Sequence, residues 1–285
     1  MYKSSVPFPE LGLLLAFLAL PLFPRVEAPG DSIPKAFDLC EASNTAFQPG
    51  EEIVYKIYYN WNFVWLSAGE VTFRVEELPH AYKLSATGRT YPSYEWFFKV
   101  RDYYEALVDK QTLQPISTIR DVQEGGYRLY EKTAYDHPNR SVTSWRGKEK
   151  KKLTPKEFSL SGCTHDVLSA VYFTRNQTYD HLAKGASFPM RVFLDREEYN
   201  LRIKYQGKVH QMEVKGLGKF RTIALSPETI AGTVFSEGAV MTIYASDDLN
   251  RVPLLIESPV SVGSIKAVLK SHKNLRHPLV ARLSG

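Results

Sequence analysis

Cys163, His165 and Asp166 place a thiol, an imidazole and a carboxylate within four residues, the set from which a nucleophile and its base are assembled. A hydrolase reading makes Cys163 the nucleophile and His165 the base. Nucleophile and base normally come from separate segments that converge in space, and Asp166 is better placed to start a helix. The competing chemistry is oxidation. Cys40 and Cys163 are the 2 cysteines of the chain, and an even number in an exported protein reads as a disulfide. On the chain-entropy model a bond closing so long a loop stabilises by roughly 4–5 kcal/mol. Oxidation removes the nucleophile; two buried free thiols are the alternative. A lipid on Cys40 is not expected, because Phe37, Asp38 and Leu39 precede it instead of small residues directly behind an apolar run.

The remaining reactive side chains point to structure. The 7 histidines are scattered, and none has the spacing of a zinc site. There is no nucleophile elbow, P-loop or dinucleotide fingerprint. No catalytic residue, metal or cofactor is therefore expected, and no enzyme. Asp248 and Arg251, in the run Asp247-Asp248-Leu249-Asn250-Arg251, suit a hairpin loop, with Pro253 on an outer strand position. A calcium cage needs more oxygen ligands than this loop offers. Glu51 and Arg175 are candidates for a buried charge pair that ties the first strand to a helix.

Aromatic residues make up 13% of the chain and concentrate at 55–65 and 91–98. Large rings at Trp61, Phe63 and Trp65, and at Tyr94, Trp96 and Phe98, suggest strands carrying rings on both faces. One set then faces a core. The other meets a second apolar layer or lines a concavity for an acyl chain, with Tyr55, Trp61, Trp65, Trp96 and Phe98 as the lining.

The elements that must position these groups alternate at period two. Ile53, Tyr55, Ile57 and Tyr59 share a strand face, as do Val71, Phe73 and Val75. Tyr199, Leu201, Ile203 and Tyr205 form another such row, and Val252, Leu254 and Ile256 a fourth. Such rows indicate half-buried antiparallel strands. Turns are expected at Glu124-Gly125-Gly126, at Asp136-His137-Pro138-Asn139 and, as a tight hairpin, at Gln206-Gly207-Lys208. Val167, Leu168, Val171 and Tyr172 break the pattern at helical spacing, with Thr164 or Asp166 to cap a helix near 164–176.

The apolar run 11–23 is short of the roughly 20 residues that a membrane-spanning helix needs and within the roughly 7–15 of a signal peptide. The expected organisation is a signal peptide at 1–28, a linker at 29–46, a single antiparallel β domain at 47–271 and a C-terminal tail at 272–285. The net charge of +5 is modest and does not call for a nucleic acid partner. The basic run 146–152, broken by Glu149, reads as a solvated hairpin tip or, more sharply, as peripheral contact with an anionic membrane surface.

The runs Phe47-Gln-Pro-Gly-Glu-Glu-Ile-Val-Tyr55, Ala68-Gly69-Glu70, Thr112-Leu-Gln-Pro115, Glu124-Gly-Gly-Tyr127, Asp166-Val-Leu-Ser-Ala-Val-Tyr172 with Arg175, Asp247-Asp-Leu-Asn-Arg-Val-Pro253 and Gly263-Ser264 resemble, in their order and number, the domain-of-unknown-function family 3108. The resemblance implies an exported protein of Gram-negative envelopes, mostly antiparallel β, similar to open half-barrels that carry lipoproteins or lipids. It implies no reaction, and Cys40 and Cys163 are not part of its pattern. The fold expected is thus all-β, a curved sheet forming an open or half-barrel with one covering helix. The function expected is a periplasmic or outer-membrane-associated module that binds a lipid or other apolar ligand. The alternative is a structural or assembly protein of the envelope that binds another protein through an aromatic face.

Overall fold

The computed structural model describes residues 40, 42–61, 64–96, 98–228, 240–259 and 263–284, with the backbone alone at 61 and 64. The expected signal peptide and most of the expected linker lie outside these residues. Fourteen strands form a single sheet. They are β1 (Glu52–Trp61), β2 (Val64–Glu77), β3 (Ala81–Thr90), β4 (Arg101–Asp109), β5 (Pro115–Glu124), β6 (Tyr127–Asp136), β7 (Ser141–Gly147) and β8 (Thr154–Ser159). After one helix, α1 (Val167–Arg175), follow β9 (Ser187–Leu194), β10 (Glu197–Val214), β11 (Gly218–Pro227), β12 (Thr242–Ser246), β13 (Pro253–Pro259) and β14 (Ser264–Lys273).

Alternation explains why these segments are strands. In β4 the inward residues Asp102, Tyr104, Ala106 and Val108 are buried while their neighbours are half-exposed; of the expected rows, Ile53, Tyr55 and Ile57 of β1, Val71 and Val75 of β2 and Ile203 and Tyr205 of β10 are buried, whereas Tyr59, Phe73, Tyr199 and Leu201 are only half-buried. Every pairing between neighbouring strands is antiparallel. The order runs from β8 back to β1, then from β14 back to β9. The first and last strands therefore pair at the centre, and the two edges, β8 and β9, are consecutive in the chain.

A right-handed twist accumulated over so many strands curls a sheet, and here the curl brings the two edges towards each other without closing them. The connection between them covers the edge of β9, because His165 N–H donates to Arg191 O at 2.9 Å and Phe193 N–H to His165 O at 2.8 Å, a parallel bridge. Leu160 packs with Val142 and Phe193 across the gap. This segment carries the disulfide between Cys40 and Cys163, with a Cα separation of 5.2 Å. Cys163 is accordingly no nucleophile.

Helix α1 fills the concave side. Asp166 caps it, accepting from Leu168 N–H at 2.9 Å and Ser169 N–H at 3.0 Å, while Ser169 Oγ accepts from Asp166 N–H at 3.0 Å. This is a reciprocal capping box. Leu168, Tyr172 and Phe173 are buried in the main core, and Phe47 meets Tyr172 edge-on at 4.8 Å. The helix starts three residues later than the expected 164 because Asp166, not Thr164, satisfies its first free N–H groups.

Three local expectations are corrected. Gln206-Gly207-Lys208 is no hairpin; it lies inside β10, where the register shifts between Tyr205 and Gly207. Gly207 has φ +101°, so the glycine provides a bulge instead of a turn. Tyr94–Trp96 and Phe98 do not lie in a strand either. Pro92 opens a single 3-10 turn, Pro92–Tyr94, and the chain reaches β4 irregularly. Pro253 opens β13, which lies between β12 and β14, so it takes the first position of an interior strand and not an outer one.

The bulges of β10 bend the β10–β11 hairpin over the outer face of the sheet. Val214 and Lys215 there approach Tyr58, Leu255 and Val268, with Lys215 Nζ 5.2 Å from the Tyr58 ring centre. Glu213, Lys215 and Lys266 share this space with Tyr58 and Trp65, so the outer rings there meet a mixed polar and apolar surface.

Candidate functional site

An apolar cavity of about 210 Å³ lies between α1 and the half of the sheet formed by β10–β13. Val167, Ala170, Val171 and Thr174 face it from one side of α1, at a spacing of three or four residues. Ile53 and Tyr55 of β1 and Phe73 of β2 form a second wall; Ile203, Ile223, Leu225 and Ile243 form the third. Each is an inward residue of an alternating strand, so the same period that builds the sheet makes the wall apolar. Tyr179 and Arg251 stand at one end, Pro227 and Met241 at the other.

The polar atoms of this wall are almost all committed. Tyr55 OH donates to Pro253 O at 2.8 Å, and Tyr179 OH to Thr174 O at 2.7 Å. Burial pushes both phenols well above their ordinary pKa. Thr174 Oγ1 donates back to Ala170 O at 2.7 Å. Arg175 donates to both oxygens of Glu51, at 2.6 and 2.9 Å, and to Asn250 O and Ala46 O. Burial opposes its charge, but the Glu51 carboxylate outweighs that effect and its pKa lies above the ordinary value. Arg251 differs. Its one side-chain hydrogen bond among the described residues is from Nη1 to Arg175 O, at 3.4 Å.

Of the four aromatic residues singled out as a lining whose side chains are described, Tyr55 alone lines the cavity. Trp65 is on the outer face, 39% exposed, beneath Lys266 Nζ at 4.7 Å. Trp96 is 83% exposed on the β3–β4 connection, its indole N–H donating to Ser93 O at 2.9 Å. Phe98 is half-buried against Gly125 at the β5–β6 turn. The side chain of Trp61 lies outside the described residues. Aromatic clusters in sequence marked the ends of hairpins, whereas the lining mixes aliphatic residues with the isolated rings Tyr55, Phe73, Tyr172 and Tyr179, a few per element. Their signal was the inward phase of each strand, and choosing among such residues requires knowing where α1 lies.

Asp248 holds its loop as a turn: its carboxylate accepts from Ser246 Oγ at 2.9 Å, Asn250 N–H at 3.0 Å and Ala281 N–H at 3.1 Å. Three donors mark a carboxylate used for structure.

A second polar group inside the sheet escaped sequence reasoning. Arg120 and Arg146 both bridge Glu131 and Asp195, with contacts of 2.7–3.2 Å, and Ser144 Oγ donates to Glu131 at 2.7 Å. Asp195, in the β9–β10 turn, is thereby bolted to β5, β6 and β7 across the open seam. The signal was available, because Arg120 is in phase with buried Val122 and Asp102 with buried Tyr104.

Asp102 is a distinct case. Burial, then the neighbouring Glu124 carboxylate, push its pKa up to about 9 despite the hydrogen bond from Gln123 N–H; burial also raises that of Glu124. The folded state holds a proton here that the unfolded chain releases above the ordinary carboxyl range. Stability contributed by this site is therefore full below that range and falls as pH rises towards about 9. One proton limits the slope to about 1.4 kcal/mol per pH unit. Asp102→Asn keeps the shape without the titration. It is expected to raise the melting temperature at pH 8.5 more than at pH 5.5; an equal change at both pH values would place the proton elsewhere.

Residues 54–270 match the family described as "Protein of unknown function (DUF3108)". Among solved structures, the chain is similar to a beta-barrel-like protein of the domain of unknown function DUF1849 from Brucella abortus. The likeness has TM-score 0.50 and 8% identity, covering 80% of this chain and 99% of that one. It is also similar to a Bacteroides fragilis protein with a YmcC-like fold, at TM-score 0.30 and 11% identity, covering 81% of this chain and 99% of that one. No curated protein matches the sequence. The first likeness supports a barrel-like fold and nothing more.

Proposed function

The chain belongs to the DUF3108 family of proteins of unknown function, and on the geometry of its interior we propose that it is an exported module that holds an apolar ligand within its curved sheet. The observation that carries this reading is the apolar cavity between α1 and β10–β13. A well-packed core leaves few voids larger than a water molecule, while an apolar cavity of roughly 150 Å³ stays dry and takes up benzene. A larger apolar space, partly open to solvent and with its polar wall atoms other than Arg251 satisfied within the protein, is suited to a hydrocarbon chain. The exposed rings Trp65, Trp96 and Tyr127 lie at the β1–β2, β3–β4 and β5–β6 ends of the sheet, a rim that a partner protein could meet under the alternative reading.

The apolar leader and the disulfide support a site of action in the periplasm or at the outer membrane. Contact with the membrane surface is peripheral in this reading, through the exposed lysines at the β7–β8 tip, 148–152.

The test is to purify the exported protein without detergent and to combine solvent extraction with mass spectrometry and equilibrium dialysis against octan-1-ol. A co-purified apolar compound, or saturable uptake of about one octanol per chain, is expected. Ala170→Phe, which fills the cavity from α1, is expected to abolish either while circular dichroism remains that of a β-sheet. A clean mass together with no uptake would turn the reading over to the structural or assembly role.

A further inference from the structure

Resting on that reading, we propose that the ligand is a single-chain amphiphile with a carboxylate head, a medium-chain fatty acid, and that Arg251 recognises the head. Arg251 lines the apolar cavity and also a mixed-charge depression beside it, which holds Asp180, Lys208, Arg221 and Asp247. It thus stands where the apolar interior meets water, the place where an amphiphile must change character.

The neighbouring cations are engaged. Lys208 bridges Asp180 at 2.9 Å and Asp247 at 3.3 Å, Arg221 donates to Val280 O at 2.9 Å, and Arg175 is bound to Glu51. Arg251 makes no ion pair among the described residues, and its contacts are Arg175 O at 3.4 Å and the Tyr179 ring at 5.9 Å. A guanidinium carries five N–H donors in a planar fork that matches a carboxylate, so most of its donors remain open to a ligand.

The charge of the head follows from the surroundings. One uncommitted guanidinium, with the carboxylates of Asp180 and Asp247 nearby, suits a singly charged carboxylate better than a doubly charged phosphate. The length follows from the volume: in proportion to a six-carbon ring in roughly 150 Å³, about 210 Å³ accommodates a chain of about eight carbons.

Calorimetry on the full-length exported chain at pH 7.5 tests this with octanoate, octan-1-ol, octylamine and octyl phosphate. Octanoate is expected to bind at least about tenfold more tightly than each of the others, a difference typical of one charge-assisted pair. Arg251→Gln is expected to reduce the octanoate advantage over octanol to about one, and Arg251→Lys to restore part of it. Equal affinity of the wild type for octanoate and octanol, a preference that survives Arg251→Gln, or octanoate binding that survives Ala170→Phe would each overturn the assignment. A preference for octyl phosphate would overturn the carboxylate. Octanol binding without head-group preference leaves the cavity reading standing and removes this one; absence of binding by every probe removes both.

Discussion

Arg175→Met is expected to destabilise the protein by about 3–5 kcal/mol, the cost of leaving one member of a buried ion pair without its partner. For a chain of this size that corresponds to a fall in melting temperature of roughly 6–20 °C. The pair qualifies as buried, with side-chain exposures of 4% for Arg175 and 0% for Glu51. Its surroundings raise the stakes. The guanidinium also donates to Ala46 O and Asn250 O and lies over the rings of Tyr172 and Phe47. Asn176 beside it accepts from the N–H groups of Thr45 and Ala46, and Asn250 donates to His277 O and Pro278 O. Four segments distant in sequence thus meet at one point: the entry to β1, the end of α1, the β12–β13 loop and the C-terminal tail. Glu51→Gln is expected to cost a similar amount. The double replacement Glu51→Leu with Arg175→Met removes both charges together and is expected to recover part of the loss. Thermal and urea unfolding of the three variants measure this, and a neutral effect of Arg175→Met on melting would refute the energetic role of the pair.

Loss of the Cys40–Cys163 disulfide is expected to cost about 4–5 kcal/mol on the chain-entropy model, because the bond closes a loop with a sequence separation of 123. It joins the start of the described chain to the segment that covers the edge of β9 and leads into the Asp166 cap. Reduction should therefore loosen the seam of the sheet before its centre, where β1 and β14 pair. Scanning calorimetry with and without reductant, and of Cys40→Ser with Cys163→Ser, gives the size; amide exchange should locate the earliest loss of protection at 160–166 and β9. A change below about 1 kcal/mol would mean that the reduced, unfolded chain stays compact across this loop.

Much of the architecture was legible in the residues. Inward rows such as Ile53, Tyr55 and Ile57 specify strands, since a one-residue slip would turn every apolar side chain to water. Val167, Leu168, Val171 and Tyr172 at helical spacing, with Thr164 or Asp166 to cap them, specify the helix, and Glu124-Gly125-Gly126 a turn. Gly207 shows the limit of that reading. A glycine between polar residues serves a hairpin and a bulge equally well, and its meaning depends on the strand alongside, β11, whose Ala224 it faces. The rings at Trp65 and Trp96 show another limit. Their size announces importance, but whether a ring at a hairpin end meets the core, a ligand or water depends on how the sheet curls.

By itself the sequence determined the antiparallel strands and the helix near 164–176, and it offered Cys40 with Cys163 as a disulfide and Glu51 with Arg175 as a charge pair. Each of these follows from local periodicity, from capping chemistry or from the scarcity of partners for a reactive group. Only the tertiary structure decided that β1 pairs with β14, that α1 enters the concave side, and that an apolar cavity ending at Arg251 opens between them. Those outcomes arise from the summed twist of fourteen strands and from contacts between residues far apart in the chain, which no local pattern encodes.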